Sequence, residues 1–201
     1  MIRAGLTGGL ACGKSFVGHV LEELGCHLIR ADQLGHLVLA AGGEAYDRVI
    51  EQFGRDILEP SGTIDRKKLA MKVFGHPERL AVLNGIVHPA VFRREEQLMA
   101  EIGARDPDAI AVVEAAILIE TGSYRRFDCL ILVVCTEEQQ IQRAMQRDRA
   151  TREHVEARIR SQMPLAEKRK YADYVIDTSG RKQDTIEQTR RVYEALRSTR
   201  G

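Results

Sequence analysis

The amino-acid sequence predicts an α/β fold with a mostly parallel, five-stranded sheet. Short apolar segments alternate along its 201 residues with longer segments of helical periodicity, which is the order that builds such sheets. Two of the apolar segments, 110–113 and 130–134, are apolar at every position, as expected of central strands covered on both faces. A glycine-rich loop between the first predicted strand and the first predicted helix adds a phosphate-binding pattern to this order.

The remaining elements follow in order along a chain that we expect to be one domain, 1–201. Strands are predicted at 2–7, 26–30, 109–114, 128–135 and 174–177. Helices are predicted at 16–24, 65–74, 77–102, 137–147, 152–163 and 182–197. The segment 33–107 is almost wholly helical in pattern and is too long for a single crossover helix. We therefore expect a helical insertion over the carboxyl ends of the strands, where α/β proteins bind ligands.

The glycine-rich loop at residues 8–15 reads Gly-Gly-Leu-Ala-Cys-Gly-Lys-Ser. Its glycines let backbone amides approach an anion without an intervening Cβ. Lys14 is expected to reach the β and γ phosphates, and the Ser15 hydroxyl to ligate Mg²⁺. The helix that follows would direct its positive N-terminal end toward the same phosphates. This strand, loop and helix together predict a site for a nucleoside triphosphate.

The composition excludes several other classes of protein. Hydrophobic residues make up 44% of the chain and charged residues 29%, which excludes a disordered chain. No apolar segment approaches the roughly 18 residues of a membrane span, and no basic-then-apolar leader opens the sequence, so we expect a cytoplasmic protein. A net charge of +1, five Tyr, five Phe and no Trp disfavour a nucleic-acid partner.

Four cysteines without a CxxC pair are typical of a reducing compartment. Cys26, Cys129 and Cys135 lie in or beside apolar segments, where we expect them to be small buried hydrophobic residues. Cys12 differs because it lies inside the glycine-rich loop near a helix N-terminus, a setting that lowers the pKa of a thiol. We therefore predict that Cys12 is sensitive to alkylation.

Asp32 directly follows the second predicted strand, at the same sheet edge as the glycine-rich loop. A carboxylate there can accept a proton from an attacking hydroxyl and help to organise Mg²⁺. It could equally be the N-cap of a helix beginning at Gln33, because aspartate is a good N-cap residue. Sequence position alone leaves both interpretations open.

A dense series of arginines lies in the segment 143–165. Arg143 and Arg147 are four residues apart and share a helix face, and we expect them to close over the phosphoryl group as a lid that excludes water. For Arg149, Arg152 and Arg160 we expect an ordinary solvated surface.

The motifs in combination resemble those of the dephospho-CoA kinase family, in family order over nearly the whole chain. The matching segments are 7–9 with 13–15, 31–32 with His36, 62–66 with Leu69 and Phe74, 83–89, 118–120, 140–143, 147–148, 158–162, and 172–177 with Gly180. The glycine-rich loop is shared by many unrelated kinases, whereas the ordered combination is specific. The chain departs from the family pattern at Phe16, at Ala11-Cys12, at 116–120, and at Thr178, where asparagine is common.

The resemblance implies a three-layer P-loop kinase fold that uses ATP and Mg²⁺ to phosphorylate the ribose 3′-hydroxyl of dephospho-CoA. It assigns the ATP phosphates to Gly8, Ala11, Cys12, Gly13, Lys14, Ser15 and Phe16, and the adenine to the turn from Asp177 to Gly180. Asp32 would be the base, and Lys14, Arg143 and Arg147 would stabilise the transferring group. The insertion would hold dephospho-CoA, with His88 lining that side.

Several alternatives remain open from the sequence. An enzyme acting on nucleoside monophosphates would also combine a phosphate loop, a helical acceptor region and an arginine lid. A nucleotide-dependent switch would bind ATP or GTP without acceptor-stimulated turnover. His88 could satisfy local backbone at the Pro89 bend instead of lining a binding site. The oligomeric state is not indicated.

Overall fold

The structure, a computed structural model, describes residues 1–198. Its strands are β1 (Ile2–Gly8), β2 (His27–Arg30), β3 (Ile110–Glu114), β4 (Cys129–Val134) and β5 (Tyr174–Asp177). Its helices are α1 (Lys14–Glu23), α2 (Ala31–Val38), α3 (Tyr46–Phe53), α4 (Arg66–Val73), α5 (Pro77–Arg105), α6 (Glu137–Asp148), α7 (Arg152–Arg160), α8 (Leu165–Lys168) and α9 (Lys182–Ser198). Every predicted strand is present, and β5 has the predicted bounds.

The five strands form one sheet in the order β2-β3-β1-β4-β5. Strand β1 pairs in parallel with β3 and with β4, and β4 pairs in parallel with β5. In this register Leu6 lies opposite both Glu114 and Ile131. The predicted mostly parallel, five-stranded sheet is confirmed, and the carboxyl ends of β1, β3 and β4 share an edge.

The chain divides into two compact units. The first contains Met1–Ile29 and the described residues from Glu101 onward, and therefore most of the sheet with α1 and α6 to α9. The second is Arg30–Ala100, which holds α2, α3, α4 and most of α5. The assignment of 33–107 to acceptor binding and of 143–165 to a lid stays a prediction.

The core of the first unit fixes the helix that follows the glycine-rich loop. Side chains of β1, β3 and β4 are completely buried against Val17 and Leu21 of α1, and Val192 and Leu196 of α9 join the same cluster. Complete burial of one such aliphatic side chain stabilises a fold by about 1.5–3 kcal/mol. The N-terminus of α1 is therefore held by a rigid support. Among residues 1–198, no helix combines the length and apolar character that crossing a membrane requires.

One predicted helix boundary is wrong, and so is one of the two interpretations of Asp32 that the sequence left open. The helix predicted over 152–163 ends at Arg160, because the chain must leave helical geometry before Pro164. Helix α2 begins at Ala31 with Arg30 as its N-cap, and no side chain caps it. Asp32 is therefore not an N-cap; it lies in the first turn of α2, where its charge complements the helix dipole.

Candidate active site

The glycine-rich loop turns directly from the end of β1 into α1. A Cβ at Gly8 would lie 2.4 Å from the carbonyl oxygen of Val133, so only glycine lets β1 approach β4 this closely. Gly13 adopts φ 87° at the N-cap of α1, and no side chain hydrogen-bonds there. A helix end of this kind presents backbone amides to an anion. The loop therefore has the geometry that phosphate binding requires.

Lys14 lies over this loop. Its Nζ donates hydrogen bonds to the carbonyl oxygens of Gly9, at 3.0 Å, and Gly8, at 3.4 Å. The ammonium therefore lies beside the backbone that would surround the phosphates. Ala11 adopts φ 54°, a left-handed conformation that costs a residue with a Cβ roughly 1–2 kcal/mol. Phe16, the next predicted phosphate-loop residue after Ser15, is half-buried in α1.

Glu114 joins the predicted site, and sequence reasoning missed it. The hydroxyl of Ser15 donates a hydrogen bond of 2.7 Å to Glu114 Oε1. Glu114 is the last residue of β3, the strand beside β1. The signal was present, because an acidic residue follows four apolar strand residues at the edge where the loop lies.

Thr178 connects three parts of the site. Its buried hydroxyl donates to the carbonyl oxygen of Cys12 at 2.8 Å, with the carbonyl of Val134 at 3.3 Å as a second acceptor. Arg143 of α6 donates to the same hydroxyl at 3.0 Å and to the carbonyl oxygen of Thr178 at 2.8 Å. Arg143 thus connects α6 to the turn after β5, and the Thr178 hydroxyl connects this turn to the glycine-rich loop. Its predicted lid role stays a prediction.

The turn between β5 and α9 is ordered by its own polar groups. Asp177 Oδ1 accepts a hydrogen bond of 2.8 Å from the amide of Ser179. The Gln188 side chain contacts the backbone of Asp177 twice, accepting from its amide and donating to its carbonyl oxygen, each at 2.9 Å. Gly180 follows in the same turn, before α9 begins. The two residues predicted to lie near adenine, Asp177 and Gly180, thus belong to one well-defined turn.

Arg147 pairs with its neighbour Asp148, and within residues 1–198 it makes no hydrogen bond to the glycine-rich loop. Its guanidinium donates to the two carboxylate oxygens at 2.7 and 3.0 Å, and Arg158 of α7 donates to the same carboxylate at 2.5 Å. Hydrogen bonds from Arg147 and then Arg158 hold the pKa of Asp148 well below its usual range. This cluster joins α6 to α7.

The other arginines of the segment lie on the surface, as expected. Arg152 is exposed and pairs with Glu138 and Glu156, each at 2.8 Å. Arg160 is also exposed and lies 3.7 Å from Glu156. Arg149 is exposed and ends α6 in a left-handed conformation. Ion pairs this exposed contribute little to stability.

The second unit contains Asp32 and His88. Asp32 is exposed. His88 is half-buried inside α5, and the centroid of its ring lies 6.1 Å from that of Phe92, with the two rings tilted. Burial lowers the pKa of His88. In the first unit the structure brings Lys14, Ser15 and the turn after β5 to the glycine-rich loop; the roles of Asp32 and His88 stay predictions.

A buried lysine supports the segment that follows β3. Lys168 is fully buried, and its Nζ lies 2.8 Å from Glu120 and 3.1 Å from the carbonyl oxygen of Ala116. Thr7 of β1 donates to the same carbonyl at 3.1 Å. Glu120 also accepts a hydrogen bond from the amide of Met163. Lys168 therefore holds α8, the end of the predicted lid segment and the loop after β3 together.

Replacing Lys168 with methionine is expected to lower the free energy of unfolding by about 1–3 kcal/mol, because a buried acceptor loses its donor. The loss should fall below the roughly 3–5 kcal/mol of a completely buried pair, since 22% of the Glu120 side chain is exposed and water can replace the ammonium. Urea unfolding, monitored by circular dichroism, measures this change in the free energy of unfolding. The matched control is Lys170→Met, whose side chain is 66% exposed beside Glu167 and which should unfold like the unaltered chain. Equal stability of the two variants would contradict a net contribution from Lys168.

The chain is a P-loop kinase of the α/β class, as its sheet order, its glycine-rich loop and Glu114 beside Ser15 indicate. Shikimate kinase from Acinetobacter baumannii shares this fold, with a TM-score of 0.53, 16% identity, and coverage of 99% of this chain and 94% of that one.

More similar proteins identify the family. The dephospho-CoA kinase family model matches residues 2–184. Dephospho-CoA kinase from Aquifex aeolicus is 41% identical over 196 residues, 98% of each chain. Dephospho-CoA kinase from Campylobacter jejuni superimposes with a TM-score of 0.75 at 26% identity, over 99% of this chain and 98% of that one. The chain belongs to the dephospho-CoA kinase family.

Proposed function

We propose that this chain transfers the γ-phosphoryl group of ATP to the ribose 3′-hydroxyl of dephospho-CoA, giving CoA and ADP in the last step of CoA biosynthesis. The observation that carries the proposal is the glycine-rich loop, with Lys14 over its carbonyls and the N-terminus of α1 at its end, in a chain of this family. We place the reaction in the cytoplasm, with a small-molecule acceptor and neither nucleic acid nor membrane as a partner.

Different residues of the chain have different roles in phosphoryl transfer. Backbone amides of the loop and the ammonium of Lys14 bind the triphosphate and stabilise charge that spreads over the transferring group. The turn from Asp177 to Gly180 lies beside the adenine, and Thr178 holds this turn against the glycine-rich loop. Asp32 accepts the proton of the 3′-hydroxyl as that oxygen attacks phosphorus. Arg143 and Arg147 help to close the site against water.

The residues beside the loop fit Mg²⁺. Ser15 and Glu114 place a hydroxyl and a carboxylate oxygen 2.7 Å apart, and hard oxygen donors of this kind are the ones that Mg²⁺ takes in kinase sites. The Ser15 hydroxyl would ligate the ion, and Glu114, which accepts the hydrogen bond of that hydroxyl, would orient it. A bound Mg²⁺ neutralises charge on the β and γ phosphates.

Replacing Glu114 with glutamine is expected to raise the Mg²⁺ concentration for half-maximal velocity by roughly 10-fold or more, as loss of a group that supports a metal ligand does. Glutamine preserves the length of the side chain but removes its charge. The measurement is a Mg²⁺ titration at saturating ATP. The control is Glu153→Gln, an exposed residue of the first turn of α7, which should leave the titration unchanged. An unchanged requirement in Glu114→Gln would remove Glu114 from the proposed metal site.

A coupled assay with Mg-ATP and dephospho-CoA tests the function itself. We expect ADP release that depends on dephospho-CoA, and mass analysis should show one phosphate added to the acceptor. Strong turnover of AMP or CMP without turnover of dephospho-CoA would instead identify a nucleoside monophosphate kinase. Nucleotide binding without acceptor-stimulated ADP release would identify a switch.

A further inference from the structure

Two cysteines far apart in the sequence meet beneath the glycine-rich loop. Cys12 lies inside the loop, and Cys135 follows the last residue of β4, before α6 begins. The thiol of Cys135 donates a hydrogen bond to Cys12 Sγ, and the two sulfur atoms are 3.3 Å apart. Both cysteines are free thiols and both are buried, Cys12 completely.

We propose that Cys12 and Cys135 form an oxidisable pair, which hydrogen peroxide converts into a disulfide that reversibly weakens nucleotide binding by the glycine-rich loop. The consequence for binding rests on the proposed function, whereas formation of the disulfide does not.

The surroundings of the two thiols give them different roles. The hydrogen bond from Cys135 is the largest cause that lowers the pKa of the Cys12 thiol, and the charge of Lys14 acts in the same direction. The same hydrogen bond and burial raise the pKa of Cys135. By contrast, burial raises the pKa of Cys26 and of Cys129 to about 12. The thiolate is the nucleophile in such reactions, so Cys12 is the attacking sulfur and Cys135 the resolving one.

The chemistry balances with one peroxide. The Cys12 thiolate attacks one oxygen of hydrogen peroxide, the O–O bond breaks, and the other oxygen leaves as hydroxide and takes a proton to become water. Cys12 is then a sulfenic acid. The sulfur of Cys135 displaces that hydroxyl group as a second water, using its own thiol proton. The two sulfurs together lose two electrons, and the peroxide is reduced to two waters.

A cavity gives peroxide a route to the pair. It has a volume of about 550 Å³, and Cys135 lines it together with Gly9 of the loop, Gln140 and Leu165. Peroxide is about as large as two water molecules, each of which occupies roughly 30 Å³ in the liquid. The oxidant can therefore reach Cys135 and Gly9 without unfolding of the sheet. The attacking sulfur of Cys12 lies directly behind both of them: it is 3.3 Å from the sulfur of Cys135, and a Cβ at Gly9 would lie 3.0 Å from it.

Closing the disulfide must deform the loop. A disulfide bond is about 2.05 Å long, so the sulfur atoms, now 3.3 Å apart, must approach by more than an ångström. Cys135 directly follows β4, which is paired on both sides by β1 and β5, whereas Cys12 lies in a loop, so we expect the loop to be the part that moves. The Cys12 amide donates to Gly9 and its carbonyl accepts from Thr178. Movement of Cys12 therefore changes the direction of the amides that would face the phosphates.

The test treats the full chain with hydrogen peroxide, maps disulfide-linked peptides by mass spectrometry, and measures affinity for a fluorescent ATP analogue. We expect a linked peptide containing Cys12 and Cys135, at least a tenfold loss of affinity, and recovery of both after dithiothreitol. Saturating Mg-ATP during oxidation should slow formation of the link, because it binds the reduced loop.

Single-cysteine variants distinguish oxidation of the Cys12–Cys135 pair from oxidation elsewhere in the chain. Cys135→Ala should bind the analogue normally before peroxide and keep that affinity afterwards, whereas Cys129→Ala should lose affinity like the unaltered chain. Absence of the linked peptide in the unaltered chain would overturn the proposal without any variant. A linked peptide with unchanged affinity, or equal loss of affinity in Cys135→Ala, would also overturn it. If Cys135→Ala folds poorly, Cys135→Ser serves in its place.

Discussion

Lys14→Ala is expected to lower kcat/KM by about two to three orders of magnitude, or more. This equals the roughly 2.7–4 kcal/mol of transition-state stabilisation that one preorganised charge-stabilising donor supplies. The structure adds a second reason, because Lys14 Nζ hydrogen-bonds to the carbonyl oxygens of Gly8 and Gly9. Alanine therefore removes the cation and also loosens the backbone that would surround the phosphates. Steady-state kinetics with Mg-ATP and dephospho-CoA provide the measurement.

The matched control for this variant is Lys170→Ala. Lys170 is also a lysine of the first unit, but it is exposed and pairs with Glu167. We expect its kinetics to equal those of the unaltered chain. If Lys14→Ala stays within threefold of the unaltered enzyme, the assignment of the glycine-rich loop as the phosphate site is wrong.

Asp32→Asn is expected to reduce kcat by about 10²–10⁴-fold, the usual contribution of a general base, while affinity for ATP stays nearly intact. The amide has the shape of the carboxylate but does not accept the proton of the acceptor hydroxyl. Since the lost interaction acts on the acceptor in the transition state, kcat should fall far more than ATP binding weakens. Single-turnover kinetics and a separate ATP-binding titration distinguish the two effects.

Asp47→Asn is a close control for Asp32→Asn. Each aspartate is exposed and lies in the first turn of a helix of the second unit, so both substitutions remove the same charge from a similar setting. Asp47→Asn should leave kcat unchanged. Loss of ATP binding in Asp32→Asn with unharmed acceptor chemistry would show that Asp32 is misassigned.

Much of the fold could be predicted because its signals are local. The continuously apolar segments of β3 and β4 indicate central strands from a few adjacent residues, and the glycine-rich loop carries its own strand and helix context. Glu114 could have been found in the same way, as an acidic residue at the end of an apolar strand. The early end of α7 at Arg160 was also readable, because Pro164 follows closely.

The contacts that sequence reasoning missed join residues far apart in the chain. Nothing near Lys168 in the sequence indicates that this lysine is completely buried against Glu120. Cys135 was expected to be an ordinary buried residue, and its partner Cys12 is 123 positions away. The prediction that Cys12 is sensitive to alkylation did not include its complete burial. Burial and pairing at such separations depend on how the strands are ordered in the sheet.

The position of the Thr178 hydroxyl has a consequence for substrate choice. One side chain joins the turn after β5 to the carbonyl oxygen of Cys12, and Arg143 holds that side chain from α6. In the proposed complex this turn lies beside adenine, so a purine that displaces the turn would displace the glycine-rich loop with it. We therefore expect adenine and guanine nucleotides to differ in kcat as well as in binding affinity.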